Sequence, residues 1–209
     1  MVITGCTPLA AETVIETIVE TEIVKEYIEI ENTDEIDRLN EELDRYKELL
    51  NNLDDLLKNV YYGRANNDNW IFDEFTAFSV GYKNKYYIIT AGHVVETEEY
   101  GKCYNHSFRA DFSDDWMYPE LLDYEVTDTV PDYSIFYSDK IVSGLGYDLN
   151  NTEPDYRLGI DRLIHENNNW GESGSCGSPV IDLDGEVIGI HVGYMSDIDL
   201  VIEAIDNLK

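Results

Sequence analysis

The spacing of hydrophobic positions changes character twice along the chain. From Glu12 to Glu31, β-branched pairs alternate with Glu and Thr (Glu-Thr-Val-Ile-Glu-Thr-Ile-Val-Glu-Thr-Glu-Ile-Val) and keep neither a helical nor a strand period. Residues 1–31 therefore read as an extended, low-complexity spacer. A helix is predicted over 32–62. Asn32 or Thr33 serves as its N-cap, and Asp34 and Glu35 sit in a first turn where the macrodipole favours anions. Ile36, Leu39, Leu43, Tyr46, Leu50, Leu53, Leu57 and Val60 follow at alternating steps of three and four, with charged residues or Asn between them. Such an a/d seam predicts a coiled-coil stalk joining copies of the chain; the alternative is one helix laid on the domain that follows.

After the turn-rich Gly63-Arg64-Ala65-Asn66-Asn67-Asp68-Asn69 the pattern shifts to short strands, so the boundary of a domain over 63–209 is expected there. Phe75–Val80 and Tyr86–Thr90, joined by Gly81-Tyr-Lys-Asn-Lys85, read as a hairpin. Ser134–Tyr137, Tyr156–Ile164, Pro179–Asp182 and Val187–Val192 are further strands, the last two parted by an Asp184-Gly185 turn. Many short strands with turns between them predict a mainly β domain, a barrel or a sandwich.

Charge narrows the partners. With 44 acidic and 14 basic residues the 209-residue chain carries a formal charge of -30, so phosphate backbones repel it and nucleic acid is not an expected partner. The excess is spread out, with 16 acids and 5 bases in residues 1–60, as in proteins of salty or extracellular surroundings. Cys6, Cys103 and Cys176 are odd in number and widely spaced, which fits neither a disulfide framework nor a zinc site, and no metal or other cofactor is expected. Ile3-Thr4-Gly5-Cys6 resembles the end of a bacterial lipoprotein signal, without the charged and apolar regions that should precede it. A membrane is an expected partner only if Cys6 is lipidated. The expected location is extracellular, on a cell surface or in a virion.

Three local patterns carry candidate chemistry: Thr90-Ala91-Gly92-His93-Val94, Asp132-Tyr133-Ser134-Ile135 and Gly174-Ser175-Cys176-Gly177-Ser178-Pro179-Val180. Their order and content resemble the trypsin-like, chymotrypsin-fold peptidases over residues 72–204. The resemblance implies a two-barrel fold, His93 as general base, Asp132 as the acid orienting it, and Cys176 as nucleophile where serine is usual. A thiolate beside an imidazolium is a competent nucleophile. The picornavirus-type main peptidases, of this fold, often read Gly-x-Cys-Gly. An inert buried thiol is the plainer explanation of any cysteine, and a serine exchanged for cysteine would leave the same sequence. By the same resemblance the N–H groups of Gly174 and Cys176 form an oxyanion hole. Ser175 stands where trypsin has an aspartate, so activation by a new N-terminus is not expected.

Gly189-Ile190-His191-Val192-Gly193 resembles the Gly-x-His-x-Gly of picornavirus-type peptidases and glutamyl endopeptidases, in which the histidine recognises Gln or Glu. This implies a substrate pocket of Gly189, His191 and Gly193, with Ser173 replacing a missing threonine. A satisfied core histidine is the alternative for His191. Long-range repulsion by the net charge favours Gln over Glu. His106 reads as part of a polar loop near Cys103, His165 as a surface residue, and Trp116 and Tyr118 as packing residues. The function expected is endopeptidase action on a polypeptide. The alternative is a catalytically silent module of the same fold, carried on a stalk as a structural or binding subunit of a surface or virion assembly.

Overall fold

A computed structural model describes residues 35–68, 71–99, 101–110, 115–127, 130–151, 156–159, 164–166 and 174–208. The expected spacer of 1–31, with Cys6, and the candidate Ser173 lie outside these. The chain divides into two units, 1–47 and 48–209.

Helix α1 (35–57) crosses that division. In the first unit its residues other than the half-buried Tyr46 are exposed, including Ile36 at 51%, Leu39 at 48% and Leu43 at 49%. Arg38 pairs with Glu35 at 2.9 Å and Glu42 at 3.1 Å, and Lys47 with Asp44 at 2.8 Å, exposed pairs that solvent screens and that add little to stability. In the second unit Leu49 and Leu57 are buried, and Leu53 and Leu56 pack against the same core. The helix stops at 57 rather than 62. Asn59 ties its end down by accepting from Ser143 Oγ at 2.7 Å on its side chain and from the Ser79 N–H at 2.9 Å on its carbonyl. Val60, expected to close the seam, opens a strand.

That strand begins before the expected break. β1 (Val60–Asn66) includes the Gly-Arg-Ala-Asn run expected to be a break, and it pairs with β2 (Ile71–Tyr82). Its inward Tyr61, Gly63 and Ala65 keep a strand period that the composition hides. β2 turns into β3 (Lys85–Thr90) through Lys83 and Asn84, both at positive φ (46° and 64°), as a two-residue hairpin requires. The short pair β4 (Glu96–Thr97) and β5 (Gly101–Lys102) follows. Then come β6 (Asn105–Ala110), β7 (Glu120–Glu125) and β8 (Tyr133–Tyr137). The larger sheet runs β6-β1-β2-β3-β8-β7.

β9 (Tyr156–Leu158), β10 (Ile164–Glu166), β11 (Pro179–Ile181), β12 (Val187–His191) and β13 (Met195–Asp197) make a second sheet in the order β10-β9-β11-β12-β13. The single expected strand over Tyr156–Ile164 is thus two paired strands. The segment around Gly144 to Asp148 stitches the sheets together, Leu145 bridging to Val80 and Tyr147 to Val187. The fold is mainly β with a curled half-barrel, compatible with the chymotrypsin type. The two expected barrels are seen as two sheets whose outer strands do not pair with each other among the described residues.

The terminal helix α2 (Ile198–Asn207) has no counterpart in the sequence reading. Ile198, Val201, Ile202 and Ile205 form its buried stripe against the β8, β12 and β13 region. Each such aliphatic side chain contributes about 1.5–3 kcal/mol on burial. Tyr118 is exposed, not packed, whereas the Trp116 ring receives the guanidiniums of Arg64 and Arg109, each at 4.9 Å. Among the described residues no helix is long and apolar enough to cross a membrane.

Candidate active site

His93 sits in a single 3-10 turn (Gly92–Val94) just after β3. Gly92 is required there, because a Cβ would lie 2.1 Å from the Glu125 carbonyl and 2.8 Å from Asp132 Oδ1. With no side chain in the way, the Asp132 carboxylate grips the next residue twice. Oδ1 accepts the His93 backbone N–H at 2.9 Å, and Oδ2 lies 2.7 Å from Nδ1. A carboxylate can only accept, so the ring proton is on Nδ1 and Nε2 is left for the thiol. The Asp132 side chain is 5% exposed and that of His93 24%, so the carboxylate is shielded while the imidazole reaches solvent. Ser134 Oγ donates to the Ala91 carbonyl at 3.0 Å, binding the strand after Asp132 to the segment before His93.

His93 also hydrogen-bonds Cys176. Burial works against its charge. The hydrogen bonds to Asp132 and then Cys176, with the attraction of both groups, outweigh that and push its pKa up to about 10. Cys176 is half-buried and in no disulfide; Cys103 is buried, and burial pushes its thiol up.

The Cys176 loop is pinned from both sheets. From β2, the Thr76 N–H donates to the Cys176 carbonyl at 2.9 Å and Thr76 Oγ1 to the Gly174 carbonyl at 2.6 Å. From β12, the His191 carbonyl accepts from Gly177 at 2.7 Å, and the His191 N–H donates to the Ser178 carbonyl at 2.9 Å. Gly177 holds φ +85°, and a Cβ on it would lie 2.0 Å from Thr90 Oγ1 and 2.1 Å from the Thr76 carbonyl. Gly174, at φ +84°, also lies in the left-handed region. The N–H groups of Gly174 and Cys176 make no hydrogen bond among the described residues.

The fold brings together His93, Asp132, Cys176, Gly174 and His191, five residues singled out from sequence. His191 is buried and lies two residues from Gly189 on β12, so the two share a face. A Cβ at Gly189 would strike Met195 Cγ at 2.5 Å, whereas Gly193 needs glycine for its φ of +89° alone. His165 is half-buried on β10. His106 overturns its reading as a loop residue: it lies buried on β6, paired with Ala65.

Sequence reasoning expected no metal site, yet the fold gathers oxygens of Asp148, Asp182 and Glu186 within 4.8 Å of one another. Asp182 Oδ1 is occupied by the N–H groups of Asp184 at 2.9 Å and Glu186 at 3.0 Å. It thereby closes the Asp184-Gly185 turn. Burial first, then the neighbouring Asp182, Asp148 and Asp184, raise the Glu186 carboxyl above its ordinary value.

No protein-family model matches the sequence, and no curated protein is similar to it in sequence. In structure it is similar to the Rv3671c protease from M. tuberculosis. The active form aligns with a TM-score of 0.56 at 15% identity, over 77% of this chain and 86% of that one. An inactive form with a serine-to-alanine mutation aligns with a TM-score of 0.51 at 16% identity, over 75% and 90%. These neighbours are trypsin-like serine proteases, and what this chain shares with them is the fold.

Proposed function

We propose that the chain is an endopeptidase whose nucleophile is Cys176. The observation that carries this is the placing of His93 between Asp132 and Cys176, on a fold that its neighbours use for proteolysis. The Cys176 thiolate attacks the scissile carbonyl carbon, and the oxygen takes the negative charge facing the N–H groups of Gly174 and Cys176. The His93 imidazolium then gives its Nε2 proton to the departing amine, leaving a thioester. A water attacks the thioester, His93 takes its proton, and the Cys176 thiolate leaves. Asp132 holds the Nδ1 tautomer throughout.

His191, fixed by two backbone hydrogen bonds to the nucleophile loop, recognises the side chain before the scissile bond. Gln is favoured over Glu by the net charge of -30. The exposed Ile36, Leu39 and Leu43 of α1 form a seam for a second copy of the chain.

The test is iodoacetamide labelling of Cys176 between pH 4 and 9, with His93→Ala as control, beside cleavage of a peptide library containing Gln and Glu. Labelling already fast below pH 7, lost without His93, and cleavage after Gln or Glu are expected. Labelling like an ordinary thiol, whose pKa is about 8.5, with no cleavage, would leave a silent module of the same fold.

A further inference from the structure

His106 is a titratable group buried inside the larger sheet at 7% exposure and used by no step above. Its ring touches a neighbour of each member of the acid and base pair. It hydrogen-bonds the backbone of Val94, the last residue of the 3-10 turn that carries His93. Its other face packs on Phe136, with ring centroids 5.0 Å apart, and Phe136 belongs to β8, the strand entered directly after Asp132. Next to it, the Cys103 N–H donates to the Val95 carbonyl at 2.7 Å, so two consecutive carbonyl positions after His93 are held from one side.

The state of the ring points the same way. Burial, opposed by the Val94 hydrogen bond and joined by Lys102, lowers its pKa to about 4, so the ring is neutral with one N–H. Nε2 is buried without a partner, which makes Nδ1 the nitrogen that bonds to Val94. An apolar residue would fill the space beside Phe136 without leaving a buried nitrogen unsatisfied, an arrangement that costs stability. The donor to Val94 is what a histidine adds there. The short turn offers few partners of its own for that carbonyl.

We propose that His106 is a positioning residue: its Nδ1–H holds the Val94 carbonyl while its ring abuts Phe136, fixing the His93 turn against the strand of Asp132. This rests on His93 acting as the base proposed above, so its test includes a readout that needs no activity. His106→Leu keeps the packing and removes the donor. His106→Asn puts an amide N–H near the place of Nδ1, whereas His106→Gln carries its amide one carbon further out.

Two quantities are followed in the full chain: the pH profile of Cys176 alkylation and the downfield proton resonance of the His93 Nδ1–H held by Asp132. In His106→Leu and His106→Gln, alkylation at pH 7 should slow about tenfold, the size of one buried hydrogen bond, with a displaced profile and a broadened resonance. His106→Asn should return both to wild type within about twofold. The proposal is overturned if Leu matches wild type in both, or if Asn is as impaired as Gln. If Leu does not fold, the Asn and Gln pair decides alone. Wild-type alkylation no faster than an ordinary thiol would sink the peptidase reading instead, and the resonance would still decide whether His106 positions His93.

Discussion

The two sheets hold their parts of the candidate site by different means. On the six-stranded side, His93 and Asp132 are fixed by side-chain hydrogen bonds, two of them on one carboxylate. The Cys176 loop, entering the five-stranded sheet, is fixed by its backbone, through left-handed glycines and carbonyls that Thr76 and His191 grip. A side-chain hydrogen bond can be removed with little change in shape. A backbone conformation cannot be altered without moving everything it carries. The first arrangement should therefore fail in reactivity while the fold survives, and the second should fail in stability and reactivity together.

The largest expected effect is on the first side. Asp132→Asn preserves shape but presents an amide to Nδ1, and peptide cleavage should fall on the order of 1,000 to 10,000-fold with the circular dichroism spectrum unchanged. Gly177→Ala breaks the other side. Its Cβ would collide with the Thr76 carbonyl and Thr90 Oγ1 at a φ that L residues rarely adopt, so about 3 kcal/mol or more of stability should be lost in urea unfolding. An unfolding curve like wild type would show that the loop is not held as described.

The pH dependence of stability is the next largest. His93 titrates at about 10 in the folded chain and about 6.5 unfolded, so its contribution is complete below about pH 6.5 and is lost as pH rises toward 10. The urea midpoint of wild type should drop more between pH 6 and 10 than that of Asp132→Asn, and equal drops would contradict the raised value. Thr76→Val sharpens the comparison from the six-stranded side of the loop. Losing the 2.6 Å bond to the Gly174 carbonyl should cost about 1–2 kcal/mol and slow cleavage about tenfold. The smallest effect on the domain comes from Leu39→Gln with Leu43→Gln. Stability should change by less than about 0.5 kcal/mol, while light scattering should show a second copy released; an unchanged mass would remove the proposed seam.

Much of the candidate site was legible because each part is local. Thr-Ala-Gly-His, Asp-Tyr-Ser-Ile and Gly-Ser-Cys-Gly-Ser-Pro-Val each specify a turn or strand entry within a few residues, and Gly92 and Gly177 stand where a Cβ would collide. The hairpin at Lys83-Asn84 was readable for the same reason. β1 was not, since Gly63 to Asn66 have the composition of a turn and become a strand only by pairing with β2 and β6. β6 was missed because a histidine counts as polar, although His106 and Phe108 alternate inward. The stripe Ile198, Val201, Ile202 and Ile205 has the helical period of α2 and is a local signal for that helix.

By itself the sequence determined the helix period of α1, the turns, and the order of the three motifs, all set by neighbours a few positions apart. Only the tertiary structure decided that His106 lies beside the His93 turn, and that the seam is exposed at Ile36, Leu39, Leu43 and Leu50 but buried at Leu57 and Val60. Both depend on surfaces from residues distant in sequence, and a residue's burial is fixed only when those surfaces meet.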